Sequence, residues 1–224
     1  MVISISEHEE WLKRRLKGIG GSDAAAVVGM SPFKSNVALW EEKTGRRKAA
    51  DISDNPRVKY GKEAEKYLRE LFKLDFPQYF VDYDEFGMIS NNPDIPFCFA
   101  TLDGDLSELD DSKPMRLIKR KGILEIKTCE IMRSSQWAEW DGRIPQHYYI
   151  QVLHQLLATG YDFVIVKAQL KYHDKNSDMQ AAIRHYKIEH SDVLEDLEWL
   201  SGKEKTFWHC VETDTKPAQI LPEI

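Results

Sequence analysis

The sequence predicts a mixed α/β fold (α+β), in which helices flank one mixed β-sheet. Two stretches, 61–73 and 146–159, carry apolar residues at helical spacing. Five further stretches have the composition of extended strands: 79–89, 97–102, 122–128, 162–171 and 182–189. Because no stretch rich in Pro, Gly or Ser separates these elements, we expect residues 1–224 to form a single domain.

The composition is that of a soluble globular protein. With 224 residues, of which 42% are hydrophobic, the chain is long enough to bury one substantial core. Its apolar runs are shorter than the roughly 18 residues of a membrane span, and its amino terminus lacks the pattern of a signal peptide. The three cysteines are widely spaced, without a CxxC pair, which argues against a structural zinc or an iron–sulfur cluster. We therefore expect free thiols and a cytoplasmic location.

Short helices are predicted in the first forty residues. The first surrounds Trp11–Leu16, and the third carries Val37 and Trp40. Between them, Ser22-Asp23 predicts an N-cap for a helix over 24–28. The longer helix over 61–73 is predicted by one apolar stripe: Ala64, Tyr67, Leu68, Leu71 and Phe72.

Turn residues separate the later elements. Asn91-Asn92-Pro93 and Asp103-Gly104 have the composition of turns between strands. Gly160 predicts the end of the helix over 146–159. A last helix is expected over about 191–210.

The strand that contains Glu125-Ile126-Lys127 predicts the chemistry. Because side chains alternate along a strand, Glu125 and Lys127 project on one side, while Leu124 and Ile126 project toward a core. Asp103 follows an apolar strand and supplies a second carboxylate, although an Asp-Gly turn is its ordinary interpretation. Carboxylates beside a lysine predict a metal site suited to phosphodiester hydrolysis.

Other polar residues have an ordinary and a functional interpretation. Glu65 is either an acid near the start of a helix or a further metal ligand. Gln151 shares a helix face with Tyr148 and Gln155, and solvent exposure is the simpler explanation of that stripe. The glycine-rich turn 18–22 runs into a helix start, which is a weak signal for phosphate binding.

Charge is unevenly distributed along this acidic chain. The net charge is −6, yet basic residues cluster at 13–17 and at 116–121. These clusters are either solvated faces or parts of a locally positive groove, and a solvated face is the usual explanation.

Five motifs in order resemble the lambda-exonuclease or YqaJ-type viral recombinase family of the PD-(D/E)XK nuclease superfamily. They are Arg15-Leu-Lys-Gly-Ile-Gly-Gly-Ser22-Asp23, Gly61-Lys-Glu-Ala-Glu65, Ala100-Thr-Leu-Asp103-Gly104, Glu125-Ile-Lys127 and Tyr149-Ile-Gln151-Val152. The match spans roughly residues 11–160. The resemblance implies a restriction-endonuclease-like core.

The resemblance also implies a two-metal site. Asp103 and Glu125, with the backbone carbonyl of Ile126, would hold a first Mg²⁺, and Glu65 would complete the side of a second. Mn²⁺ would substitute for Mg²⁺. Lys127 would contact the attacking water and orient or deprotonate it, and its protonation state stays open.

Further residues acquire roles through the same resemblance. Arg15 and Ser22 match the family's pocket for a terminal 5′-phosphate, with Lys34 as a third basic contact. Thr101 keeps a hydroxyl where the family's phage lambda member has serine. Gln151 would support metal-bound water or substrate. The family's variable loop contains the basic segment 116–121, for which backbone contact with DNA is the assignable role.

The implied function is a metal-dependent 5′→3′ exonuclease on linear double-stranded DNA, which releases 5′-mononucleotides and leaves a 3′ overhang for recombination. The resemblance further implies a ring-shaped homotrimer around DNA, a phage single-strand annealing protein as partner, and a phage or prophage gene expressed in a bacterial cytoplasm. Two alternatives stay open. One is an endonuclease on the same core, and the other is a catalytically silent scaffold that binds DNA ends.

Overall fold

The structure, a computed structural model, describes residues 5–110 and 117–221. Within these ranges the helices are α1 (Ile5–Arg15), α2 (Gly21–Val27), α3 (Asn36–Lys43), α4 (Pro56–Asp75), α5 (Ser134–Glu139), α6 (Gln146–Thr159) and α7 (Leu194–Glu212). The strands are β1 (Ile19–Gly20), β2 (Tyr79–Asp82), β3 (Cys98–Phe99), β4 (Gly104–Asp110), β5 (Leu117–Ile131), β6 (Phe163–His173) and β7 (Met179–Glu189).

The main sheet has the order β2-β4-β5-β6-β7. Strands β5 and β6 run parallel, and the other neighbours are antiparallel. The short strands β1 and β3 form a separate parallel pair. The mixed sheet flanked by helices confirms the predicted fold class.

Both faces of the sheet are covered, and alternation along β5 distributes its residues between them. Ile123 packs in the larger core, which α2, α6 and α7 help to build. Leu124 and Ile126 pack in a smaller core against Leu68 and Phe72 of α4. Side chains in phase with Ile123 therefore point toward α6, and this direction fixes where Glu125 and Lys127 lie.

Strand β5 extends beyond its neighbour β4. The two strands pair from Asp110 opposite Leu117 to Gly104 opposite Leu124. From Glu125 onward, β5 continues to pair with β6 while its other edge has no strand partner in the part of the chain that the structure describes. Because β4 begins only at Gly104, opposite Leu124, the sheet has a gap beside Glu125.

Helix α6 runs through the centre of the molecule. It spans Gln146–Thr159, as the sequence predicts, and ends at Gly160, whose φ of 68° lies in the left-handed region that glycine adopts readily. Ile150 and every residue from 152 to 159 are buried. A helix that is buried on most of its surface brings its polar side chains into the interior, where they need partners.

The structure corrects several predicted elements. Strand β4 was not predicted, because Asp103-Gly104 has the composition of a turn and an acidic stretch follows it. The N-cap of α2 is Gly20, so the predicted cap at Ser22-Asp23 is wrong, and Asp23 instead accepts a hydrogen bond from the backbone N–H of Gly20.

Helix α4 is longer than the pattern over 61–73 predicts. Asn55 caps it, with Pro56 in its first turn, so it begins five residues earlier. Within the predicted stripe, Leu68 and Phe72 are buried, whereas Tyr67 and Leu71 are exposed. The apolar face of α4 is therefore narrower than expected.

Candidate active site

A cleft of about 1290 Å³ opens beside the end of β4. Its walls come from α4, from the second half of β5 and from the start of α6. Seven basic side chains line it (Arg15, Arg57, Lys62, Lys66, Arg69, Lys73 and Lys127), together with seven acidic ones (Glu65, Glu70, Asp82, Glu85, Asp103, Glu130 and Glu139). The cleft is thus formally neutral, although the whole chain carries a charge of −6.

Glu125 is the most completely hydrogen-bonded carboxylate of the site. It is only 2% exposed and faces α6. Its Oε1 accepts from Lys127 Nζ at 2.5 Å and from Gln151 Nε2 at 2.6 Å. Its Oε2 accepts from Gln155 Nε2 at 2.5 Å. Three donors thus hold a buried charge that would otherwise be strongly destabilising.

Lys127 bridges the strand and the helix. Besides its bond to Glu125, its Nζ donates to Gln151 Oε1 at 3.0 Å and lies 4.8 Å from the centroid of the Tyr148 ring. Burial acts to lower the pKa of Lys127, but the charges of Glu125 and Asp103 outweigh burial and raise it. The neighbouring carboxylates thus favour the charged form of the Lys127 side chain.

Asp103, the residue directly before β4, occupies this gap in the sheet. Its Oδ2 accepts a hydrogen bond from the backbone N–H of Ile126 at 2.7 Å. Burial, followed by the charges of Glu125 and Glu65, raises the pKa of Asp103 well above its usual value. The buried guanidinium of Arg69 donates to the Asp103 carbonyl and stacks 3.4 Å from the Tyr83 ring centroid, which fixes the backbone at this turn.

Glu65 approaches the same place from α4, across the open edge of β5. It lines the cleft, and burial together with the charge of Glu125 raises its pKa. The pKa values of Glu65 and Asp103 are raised by the same two causes: burial first, and then the charge of the neighbouring carboxylates.

The donor set fits a hard divalent cation. A cation would relieve the repulsion among these carboxylates, and oxygen ligands suit Mg²⁺ and Mn²⁺. Because the N–H and C=O of one strand residue face the same neighbour, the Ile126 carbonyl is turned toward the gap that holds Asp103. Asp103, Glu125 and the Ile126 carbonyl would form one set of ligands, with Glu65 on the side toward α4.

Arg15 and Ser22, the two predicted phosphate contacts, lie against each other, and Arg15 lines the same cleft as Asp103. The guanidinium of Arg15 donates to Ser22 Oγ at 2.8 Å and lies 4.7 Å from the Trp11 ring centroid. A Cβ added to Gly21 would come within 3.2 Å of Gln151 Cγ, so the glycine-rich turn packs directly on α6. Helix α6 therefore contacts both the turn that follows Arg15 and, through Gln151, Glu125.

The other two predicted phosphate contacts, Thr101 and Lys34, differ in position: Thr101 is among the residues that line the cleft, and Lys34 is not. Lys34 instead forms ion pairs with Glu42 at 2.7 Å and with Asp23 at 3.8 Å, which already compensate its charge.

The basic segment over 116–121 is engaged within the sheet as far as it is described. Arg116 lies outside the described residues. Arg120 pairs with Glu189 of β7, and Lys121 pairs with Asp105 of the neighbouring strand β4. These ion pairs leave less charge available for DNA than the sequence alone implies.

Sequence reasoning missed three residues at the site. Arg69 follows Glu65 by one helical turn, and that spacing is the signal that could have revealed it. His147 lines the cleft, where burial and then the nearby charge of Lys127 lower its pKa to about 4. Gln155 was seen only as part of a polar stripe, yet it is 1% exposed and bound to Glu125.

A separate buried cluster joins Cys98, His154 and Glu204. His154 Nδ1 lies 2.7 Å from Glu204 Oε1, its Nε2 lies 2.9 Å from the Phe99 carbonyl, and Cys98 Sγ donates to Glu204 Oε2 at 3.2 Å. Two ligands of a tetrahedral zinc ion lie about 3.3 Å apart, so the His154–Glu204 separation is that of a hydrogen bond. The cluster joins α6 and α7 to β3.

Comparison with known proteins identifies the family. A model of the YqaJ-like viral recombinase domain matches residues 10–162. The chain belongs to the YqaJ-like viral recombinase family. The uncharacterized protein YqaJ of Bacillus subtilis (strain 168) is 28% identical over 155 residues, which cover 69% of this chain. They cover 43% of that relative, so this YqaJ-like chain spans less than half of the relative's length.

Solved structures share the YqaJ-like fold. The alkaline exonuclease LHK-Exo from Laribacter hongkongensis superposes with a TM-score of 0.66 at 18% identity, over 92% of this chain and 94% of the other. Its complex with dAMP gives a TM-score of 0.59 at 19% identity over the same shares of the two chains. A phage-related exonuclease from Haemophilus somnus 129PT gives 0.51 at 11% identity, over 88% and 96%. This chain therefore shares its overall fold with these solved structures.

Within the described residues, no helix is long and apolar enough to cross a membrane.

Proposed function

We propose that this YqaJ-like chain is a metal-dependent 5′→3′ exonuclease on linear double-stranded DNA. It releases 5′-mononucleotides and leaves a 3′ single-stranded overhang for recombination. The observation that carries the proposal is the joint placement of Asp103, Glu125, Lys127 and Gln151 beside the pocket of Arg15.

The residues at the site suit phosphodiester hydrolysis. Water attacks phosphorus, the bond between phosphorus and the 3′-oxygen breaks, and the products are a 5′-mononucleotide and a shortened strand. A divalent cation bound by Asp103, Glu125 and the Ile126 carbonyl would polarise the phosphoryl group. Lys127, as an ammonium, orients the attacking water by donating to it. Gln151 fixes the relative positions of the Lys127 and Glu125 side chains, since it forms a hydrogen bond to each of them.

The position of Arg15 favours a strand end as the substrate. Its guanidinium and the Ser22 hydroxyl are donors suited to a terminal 5′-phosphate. Because Gly21 packs on Gln151, a phosphate held there would lie close to the hydrolytic centre. An endonuclease has no need of such a pocket.

The comparisons with known proteins support exonuclease activity. The proteins that share the fold are described as an alkaline exonuclease and a phage-related exonuclease, and LHK-Exo was crystallised with dAMP, a deoxynucleoside monophosphate. Membership of a viral recombinase family supports a role in recombination. We propose, in addition, a single-strand annealing protein as partner, a homotrimeric ring around DNA, and action in a bacterial cytoplasm.

The proposal is tested with three DNA substrates in Mg²⁺: a linear duplex with 5′-phosphates, the same duplex with 5′-hydroxyls, and a covalently closed plasmid. We expect mononucleotide release from the phosphorylated duplex and an intact plasmid. No release from the phosphorylated duplex would contradict the proposal, and rapid plasmid cleavage would indicate an endonuclease.

Lys127→Ala provides the matching variant. We expect cleavage to fall by at least about 100-fold, because the water loses its orienting cation, while binding to the DNA end persists. Lys175→Ala serves as the control, since Lys175 is exposed in the turn between β6 and β7. Undiminished cleavage by Lys127→Ala would show that the hydrolytic site lies elsewhere.

A further inference from the structure

Among the described residues, the Gln155 side chain forms one hydrogen bond to the site. Its Nε2 donates to Glu125 Oε2 at 2.5 Å, and the side chain is 1% exposed. Its own Oε1 has no hydrogen-bond partner among the described residues, although it is buried. A buried acceptor without a partner is unfavourable, so the donor end of this amide must supply the compensating interaction.

The amide orientation is fixed by its neighbour. Rotation of the amide by half a turn would place Oε1 against the carboxylate oxygen of Glu125, which is repulsive. Gln151 differs in this respect, because its Nε2 bonds to Glu125 and its Oε1 accepts from Lys127. Gln151 therefore couples two groups of the site, whereas Gln155 acts on Glu125 alone.

The consequence for Glu125 follows from counting acceptor sites. Each carboxylate oxygen accepts about two hydrogen bonds or metal bonds. Oε1 already accepts from Lys127 and Gln151, while Oε2 accepts, among the residues that the structure describes, from Gln155 alone. Oε2 is thus the oxygen of Glu125 that can still accept a further bond. The hydrogen bond from Gln155 restrains the orientation of this oxygen.

We propose that Gln155 is a positioning residue that orients Glu125 Oε2 toward the divalent cation. The inference rests on the proposed function, because the cation is taken from it. Partners behind a metal ligand typically change metal affinity by about 10- to 100-fold when they are removed. Gln155 would therefore act on cation affinity, without contacting the DNA.

The test uses Gln155→Met, which keeps the approximate length of the side chain and removes the donor. Calorimetric titration with Mn²⁺, in the absence of DNA, should give a dissociation constant about 10- to 100-fold higher than in the unaltered protein. Tyr149→Phe is the matched control on the same helix, because the Tyr149 hydroxyl bonds to Asp196 of α7 and should leave Mn²⁺ affinity unchanged.

Kinetics separate positioning from a merely structural role. In Gln155→Met the Mg²⁺ concentration for half-maximal cleavage should rise by the same factor, with the KM for DNA unchanged and the rate recovered at saturating Mg²⁺. A structural defect would lower the rate at every Mg²⁺ concentration, which would overturn the inference.

The possible failures are distinguishable. Mn²⁺ affinity within twofold of the unaltered protein would overturn the role of Gln155 and leave the nuclease proposal standing. Normal Mn²⁺ binding without DNA cleavage would overturn the nuclease proposal, while the affinity ratio would still decide the role of Gln155. Failure of the unaltered protein to bind Mn²⁺ would overturn both.

Discussion

The Arg15 guanidinium lies between an indole ring and a hydroxyl. The Trp11 ring restrains one of its faces, and its bond to Ser22 restrains one of its nitrogens. Restraint of this kind reduces the entropy that is lost when the fork closes on a phosphate. The Arg15 guanidinium is thus preorganised for the phosphate that we propose as its ligand.

Arg15→Ala should therefore reduce the preference for phosphorylated ends. Hydrogen bonds to charged groups contribute about 1.5–3 kcal/mol, so we expect the ratio of kcat/KM between 5′-phosphorylated and 5′-hydroxyl duplexes to fall by about 10- to 100-fold. Measurement of both substrates with each protein checks this. A ratio within twofold of the unaltered protein would remove Arg15 from the phosphate pocket.

Residue types at motif spacing were sufficient to predict which carboxylates and which lysine meet at the site. The sequence did not reveal the burial of Gln155, because a Gln on a helix face is usually exposed and only the packing of α6 makes it interior. Ion pairing of Lys34 with Glu42 was equally invisible, since it depends on how the turn before α3 folds back.

At the scale of elements, α6 was predictable to the residue because periodicity, length and a terminal Gly agree. Strand β4 was not, because its acidic residues and the preceding Asp-Gly favour a turn locally, and pairing with β2 and β5 overrides that preference. The gap that holds Asp103 exists because β4 begins only at Gly104, the next residue. Its position thus depends on tertiary pairing rather than on local sequence.

The junction of α6 and α7 contains the buried pair of His154 and Glu204. Glu204→Gln should destabilise the fold by about 3–5 kcal/mol, because it removes the charged partner of His154 in the interior. Glu198→Gln, an exposed change on the same helix, should alter the unfolding free energy by less than about 0.5 kcal/mol. Urea unfolding of both variants measures the difference, and equal values would contradict a stabilising role for the pair.

The same pair should make stability depend on pH. Burial acts to lower the pKa of His154, but the Glu204 carboxylate and the Phe99 carbonyl outweigh it, so the folded pKa exceeds the unfolded one. The stabilising contribution of the His154–Glu204 pair to the free energy of unfolding is fully present below about pH 6.5, the pKa of histidine in the unfolded chain. It is lost as the pH rises through the higher pKa of His154 in the folded protein. The difference in unfolding free energy between the unaltered protein and Glu204→Gln should therefore shrink at alkaline pH.

At the scale of the whole molecule, an acidic protein must attract a polyanion locally. The cleft is formally neutral, and bound divalent cations would make it positive while the outer surface stays negative. Lys62 and Lys66 line the cleft from α4 and form no ion pair within 4.0 Å among the described residues. They are the cleft lysines most available to DNA phosphates.

Lys62→Ala and Lys66→Ala should each reduce the salt dependence of duplex binding. The slope of log K against log salt should become shallower by about 0.9 for each lost phosphate contact, without a change in sequence preference. Fluorescence anisotropy over a series of salt concentrations measures the slope, with Lys203→Ala on α7 as the control. An unchanged slope in both cleft variants would place the DNA outside this cleft.

The hydrogen bond from Ile126 to Asp103 has a consequence beyond the fold. Its neighbours along β5 donate to other strands, whereas the Ile126 amide proton is held by a side chain of the candidate site. Exchange of that single proton with solvent deuterium should therefore follow the state of the Asp103 carboxylate rather than the opening of the sheet. One backbone position inside the core thus serves as a native reporter of the site, readable without substrate, label or turnover.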